Sequence, residues 1–179
     1  CKFNLIRCCV RSNNFSYGLV YTFRIRDGLN WSDGDPFDME DIRFAWEDVN
    51  MNKVLHETPQ TQWLDSVTGN IVKFAVVDDL NWTLTWDTAD FILMEGEVRP
   101  GSRCTSFYFC FYTSAHYMKQ FHIDYADSAK LQGMIDAEEA GDWPRFWGLK
   151  NNMGTHVGMP LVAPFTLESH SDTLNTWIA

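Results

Sequence analysis

Between Tyr21 and Trp46 the chain reads YTFRIRDGLNWSDGDPFDMEDIRFAW, and no other stretch restricts the fold as tightly. Tyr21, Phe23 and Ile25 alternate with Thr22, Arg24 and Arg26, the period of a half-buried strand. Asp27-Gly28 is a turn signal, and Asp33-Gly34 followed by Pro36 is a second. Asp38 then predicts a helix N-cap, with Asp41 three residues on supplying a capping box in its shorter acidic form. Glu40 and Asp41 fall in the first turn, where the helix dipole favours negative charge. Ile42, Ala45, Trp46 and Val49 continue as one apolar stripe. The run therefore predicts a strand, two tight turns and a capped helix.

Six acids (Asp27, Asp33, Asp35, Asp38, Glu40 and Asp41) crowd this corner, which raises the question of chemistry. A calcium loop with Gly34 at its sixth position puts Leu29 and Trp31 where oxygen ligands are required, so it fails. A glycoside hydrolase needs two carboxylates flanking the scissile bond, and a carbohydrate-active enzyme using two of these acids is one reading. The local reading is stronger, because each acid already serves a turn, a cap or a dipole. On that reading Trp31, Asp33, Gly34, Asp38 and Asp41 are structural, with Trp31 packed over the turn, and no catalytic or metal-binding residue is assigned.

The rest of the chain predicts fewer elements. Residues 1–16 show neither a clean strand nor a clean helix. IVKFAVVDDLNWTLTWDT predicts a β-hairpin, with Val72, Phe74 and Val76 alternating, a turn around Asp78 to Asn81, and Trp82, Leu84 and Trp86 returning. FILMEGEVRPGSR predicts the end of an element and then a loop, and SFYFCFY a short buried strand. A helix is predicted around Ser128 to Ala140, closing at Gly141. After Trp147 the glycines and prolines predict loop. The histidines show no HExxH spacing: His116 and His122 are six apart, and His56, His156 and His170 are isolated.

Composition narrows the partners. A net charge of −10 disfavours nucleic acid, and no apolar run approaches the roughly 20 residues of a membrane span. Cys104 and Cys110 on one strand would lie roughly 20 Å apart, beyond the ~7 Å limit for a disulfide. No CxxC pair occurs among the five cysteines, so zinc and other cofactors are not predicted.

Taken whole, YTFRIRDGLNWSDGDPFDMEDIRFAWEDV resembles the segment of family 5 extracellular solute-binding proteins that runs YTF-x-L-R-x-G-x-x-W-S-D-G-x-P-F-T-A-x-D-V-x-F. VKFAVVDDLNWTLTW, HYMKQFHIDYAD and MPLVAPFTLES resemble later segments of that family, in order. Asp38-Met39 stands where the family has Thr-Ala, and Ser114-Ala115 where it has Pro-Lys. The resemblance implies an α/β fold of mixed α+β type, part of a type II periplasmic-binding-protein-like lobe with mixed sheet, hairpin and flanking helices. It implies residues 1–16 as an unmatched, non-native segment, 17–115 as a strand-helix-hairpin subdomain of the first lobe, and 116–179 as a truncated helix and loop returning toward the main lobe.

The resemblance further implies a ligand-binding subunit of an ABC importer, present as an incomplete fragment and not an enzyme. A peptide or similar small solute would be the ligand, ABC permease subunits the partners of the full-length parent, and the periplasm or extracellular space the location, with a lipid anchor as one form of attachment. The alternatives are an oligosaccharide-binding member of the same family, the carbohydrate-active enzyme above, and a fragment with no activity alone. In relatives the loop after the first helix approaches the ligand cleft, which makes Gln62 and Trp63 candidate contacts; packing within the loop is the alternative for Trp63.

Overall fold

The computed structural model describes residues 10–16, 18–89, 112–152, 156–162, 166–169 and 176–178. Its contacts divide the chain into one unit of Cys1–Leu29 with Pro36–Tyr112, and a second of Asn30–Asp35 with Thr113–Ala179. The fold class is α/β in the mixed α+β sense, with short helices and a small sheet.

The first unit is built on a four-stranded sheet of order β1-β2-β4-β3, where β1 is Val10–Ser16, β2 Val20–Ile25, β3 Lys73–Val76 and β4 Asn81–Thr85. Each neighbouring pair is antiparallel, so the mixed sheet expected from the resemblance is an antiparallel one among the described residues. Strand β1 corrects the reading over residues 10–16, where no clean strand or helix was expected: this segment pairs from Val10 opposite Ile25 to Ser16 opposite Val20, with a register shift between Ser12 and Asn14. Neighbouring backbone can organise a stretch that carries no clear apolar alternation of its own.

Strand β2 alternates as predicted, with Tyr21, Phe23 and Ile25 buried. Phe23 stacks on Trp82 of β4 at 4.2 Å between ring centroids, and Tyr21 meets Trp86 edge-on at 5.4 Å. The hairpin also forms as predicted, its turn tied by Asp78 Oδ1 accepting from the N–H groups of Leu80 and Asn81. Strand β3 departs from the expected alternation, because Val76 is 44% exposed while Val72 is buried. It is an edge strand of the described sheet, and none of its four residues is buried.

Helix α1 (Met39–Phe44) starts at Asp38 with a complete capping box to Asp41. It then widens into a π-helical turn, Ala45–Asn50, instead of running on as the α-helix that the stripe to Val49 predicts. The cause is visible: the Asn50 side-chain amide donates to Ala45 O at 2.7 Å, and Met51 N donates to Trp46 O at 3.0 Å, both spanning five residues.

The second unit contains α2 (Ala115–Met118), a following 3₁₀ turn (Lys119–Phe121), α3 (Ser128–Ala137), α4 (Trp143–Lys150) and an antiparallel pair, β5 (Thr166–Ser169) with β6 (Thr176–Ile178). Helix α3 stops three residues short of the predicted Ala140. Glu139 takes the left-handed conformation (φ 51°), while its N–H bonds Asp136 O and that of Ala140 bonds Ile135 O, the Schellman arrangement with Glu in the usual glycine place. Helix α4 corrects the expectation of loop after Trp147. Its signals are in the sequence: Asp142 caps by accepting from Arg145 N, and Pro144 sits in the first turn. The core here is aromatic, with the His122 ring enclosed by Trp143 and Trp147 at 5.0 and 5.2 Å.

The strand predicted at SFYFCFY, the element end at FILMEGEVRPGSR and all five cysteines lie outside the described residues, Tyr112 excepted. No helix among the described residues is long and apolar enough to cross a membrane.

Candidate functional site

Gly28 and Gly34 have φ of +74° and +93°, the left-handed geometry that the two Asp-Gly turns require. Asp27 pairs with Arg24 at 3.1 Å, and Glu40 with Arg43 at 2.5 Å. Asp38 and Asp41 are occupied by the cap: Asp38 accepts from Glu40 N at 2.8 Å, and Asp41 accepts from Asp38 N at 3.1 Å.

Asp33 and Asp35 do something that sequence spacing did not reveal. Asp33 Oδ2 lies 2.8 Å from His116 Nε2, and Asp35 Oδ2 lies 3.2 Å from His116 Nδ1. The imidazole thus faces a carboxylate at each nitrogen, and Trp31, buried at 4% exposure, tilts its ring against it at 6.2 Å. Burial pushes the Asp33 carboxyl up, but hydrogen bonds from His116 and from Asp35 N outweigh it and hold the group below the usual 3.8. Both histidine nitrogens are engaged, each on a different acid. Among the described residues no cluster of His, Cys, Asp and Glu is arranged to hold a metal ion.

The loop after the π-helical turn carries the two predicted contacts. A 3₁₀ turn, Thr61–Trp63, closes it, with Trp63 N donating to Gln60 O. The Trp63 side chain is 1% exposed, donates from Nε1 to Asn50 Oδ1 at 3.2 Å and meets Trp46 edge-on at 5.1 Å. Its ring is enclosed by protein. Gln62 is half-buried, and its amide donates to Gln60 Oε1. The Gln60 amide in turn lies 2.9 Å from His56 Nε2. Burial holds His56 below its ordinary 6.5, so the line His56–Gln60–Gln62 is formally uncharged at neutral pH.

Below that loop sits a residue the sequence reading passed over. Asp65 is 2% exposed, and its carboxylate accepts from the N–H groups of Val67, Thr68 and Thr88 and from the Thr88 hydroxyl. The Thr68 N–H leads the groups that hold its carboxyl far below the ordinary 3.8. This anion pins the 65–70 turn to the chain leaving β4. An Asp two residues before a loop Val-Thr-Gly is an available signal for the turn, whereas the Thr88 contact spans 23 residues and has none.

The family model described as bacterial extracellular solute-binding proteins, family 5, middle, matches residues 14–155. The oligopeptide-binding protein OppA of Bacillus subtilis is 53% identical over 30 residues, 17% of this chain and 6% of that protein. The periplasmic alpha-galactoside-binding protein of Rhizobium meliloti is 52% identical over 31 residues, 17% of this chain and 4% of that protein. Among solved structures, an oligopeptide-binding protein OppA superposes with a TM-score of 0.71 at 21% identity, covering 89% of this chain and 23% of that one. A periplasmic binding protein from Agrobacterium fabrum, solved with stachyose, has a TM-score of 0.57 at 18% identity, covering 90% of this chain and 21% of that one. The chain thus spans less than a quarter of the length of either structural neighbour.

Proposed function

Because the chain belongs to the bacterial extracellular solute-binding proteins of family 5, we propose that it is part of the ligand-binding subunit of an ABC importer whose solute is a peptide. The family match over residues 14–155 supports the solute-binding reading, and the local identity to OppA favours a peptide as the solute. Members of such a family bind a solute and hand it on, and no bond is made or broken. The setting is periplasmic or extracellular, and the permease subunits of the importer are the partners of the complete protein.

The contact with solute falls on Gln62, whose half-buried amide ends the uncharged His56–Gln60–Gln62 line. Trp63 stands behind it and holds the turn through Asn50. Neutral amides that both donate and accept suit the main chain of a peptide. Trp31, Asp33, Gly34, Asp38 and Asp41 are scaffold, since each is engaged in a turn, a cap or the pairing with His116.

A second reading, an oligosaccharide as solute, is supported by the local identity to the alpha-galactoside-binding protein. Calorimetric titration of the complete polypeptide carrying this segment separates the two. Saturable heat with mixed tri- to pentapeptides and none with stachyose supports the peptide; the reverse supports the sugar. Steady release of chromophore from an aryl glycoside would remove both in favour of an enzyme.

A further inference from the structure

Asp27-Gly28 and Asp33-Gly34 are the two Asp-Gly pairs of the chain, and in each the glycine is exposed and left-handed. Such a pair can react with itself, because a glycine, lacking a Cβ, leaves its amide nitrogen open to the preceding side chain. The nitrogen attacks the carbon of the Asp carboxyl group. A C–N bond forms, the bond from that carbon to the hydroxyl oxygen breaks, and the oxygen leaves as water with the amide hydrogen. Water then opens the resulting succinimide at either carbonyl. Opening at the side-chain carbon restores Asp. Opening at the main-chain carbon leaves an isoaspartyl linkage, with one more carbon in the backbone and a free α-carboxylate. The water lost is regained, and nothing is oxidised or reduced.

The reaction needs a glycine nitrogen free of its hydrogen bond and a carboxyl group free to turn toward it. At Asp33-Gly34 both are held. Gly34 N donates to Trp31 O at 3.0 Å, while the Asp33 carboxylate accepts from Asp35 N at 3.2 Å and lies 2.8 Å from His116 Nε2. At Asp27-Gly28 neither is. The Gly28 N–H has no hydrogen-bond partner among the described residues, and the turn is closed by a long bond, Leu29 N to Arg26 O at 3.4 Å. Asp27 pairs with Arg24 at 3.1 Å, but its side chain is 74% exposed, and a surface pair of this kind restrains a carboxylate weakly.

We propose that Asp27-Gly28 is a site of spontaneous isoaspartate formation in the folded protein, and that the fold shields Asp33-Gly34 from the same reaction. The modification lengthens the backbone of the turn that leaves β2. Leu29, the next residue, accepts Phe37 N on its carbonyl at 2.9 Å, so the inserted carbon falls beside the tie that closes the loop ahead of α1. The shielded pair lies within that loop, where Trp31 and His116 depend on Asp33 staying as it is.

Warm incubation of the intact chain at neutral pH, once in buffer and once in guanidinium chloride, tests this without any variant. Trypsin cleaves after Arg26 and Arg43, which puts both pairs on one peptide, residues 27–43, so each site is the internal reference for the other. Electron-transfer fragmentation then assigns the isoaspartyl linkage to Asp27 or Asp33. In guanidinium chloride the two sites should accumulate it at similar rates. In buffer Asp27 should lead Asp33 by roughly fivefold or more, the factor that one amide hydrogen bond on Gly34 N is worth. Equal rates in buffer, a faster Asp33, no isoaspartate at Asp27 in buffer, or the same lead persisting in guanidinium chloride would each overturn the proposal.

Discussion

Replacing Trp63 separates a core residue from a solute-stacking one. Trp63 is 1% exposed, so nearly its whole side chain contributes to folding. Trp63→Phe keeps an aromatic ring in place but deletes the Nε1–H that reaches Asn50 Oδ1 at 3.2 Å. That bond is near the long end of the range, so its net worth is about 0.5–1 kcal/mol, and Asn50, itself buried, is left with an acceptor facing no donor, which adds about 1 kcal/mol. A total of about 2 kcal/mol corresponds to a fall in Tm of about 4–8 °C for a chain of this size. Trp63→Ala also loses ring burial and the edge-on contact with Trp46, for about 4–5 kcal/mol. Thermal unfolding followed by tryptophan fluorescence measures both. The double variant Trp63→Phe with Asn50→Leu gives a sharper check, because removing donor and acceptor together should be less costly than the two single losses added, by about 1 kcal/mol. An unchanged Tm in Trp63→Phe, with a tenfold loss of solute affinity in the complete protein, would show that the indole serves the ligand and that this reasoning is wrong.

Other outcomes follow from the same geometry. Trp31→Ala should cost about 3–5 kcal/mol in chemical denaturation, since the ring is buried against His116. Asp33→Asn should change stability by no more than about 1 kcal/mol, because the pair is partly solvent-exposed, and should leave solute affinity in the complete protein unaltered by calorimetry. Asp65→Asn should lower the urea midpoint well beyond Asp27→Asn, as an amide nitrogen would face the N–H donors now served by a carboxylate. Because the Asp65 carboxyl is held below its unfolded value of 3.8, its contribution is whole above that pH and is lost as pH falls beneath it; acid titrations of wild type and Asp65→Asn should converge there.

Residue type and spacing alone specified only local features. The β2 alternation, both Asp-Gly turns, the Asp38–Asp41 cap and the hairpin at Asp78 follow from interactions within four residues, where residue type and spacing suffice. The likeness of four ordered segments also made the family legible, because such segments record a whole fold. The remaining features depend on how distant segments pack. Strand β1 formed because β2 offered it an edge, and the α-helix widened after Phe44 because Asn50 could serve Ala45 O and Trp63 at once. Asp33 and Asp35 met His116, more than eighty positions along the chain. His156, read as isolated, acquired two partners. A side chain's short-range options are written in its neighbours, but which distant group shares its burial is set only when the elements pack, and for an ionisable group that choice decides its charge.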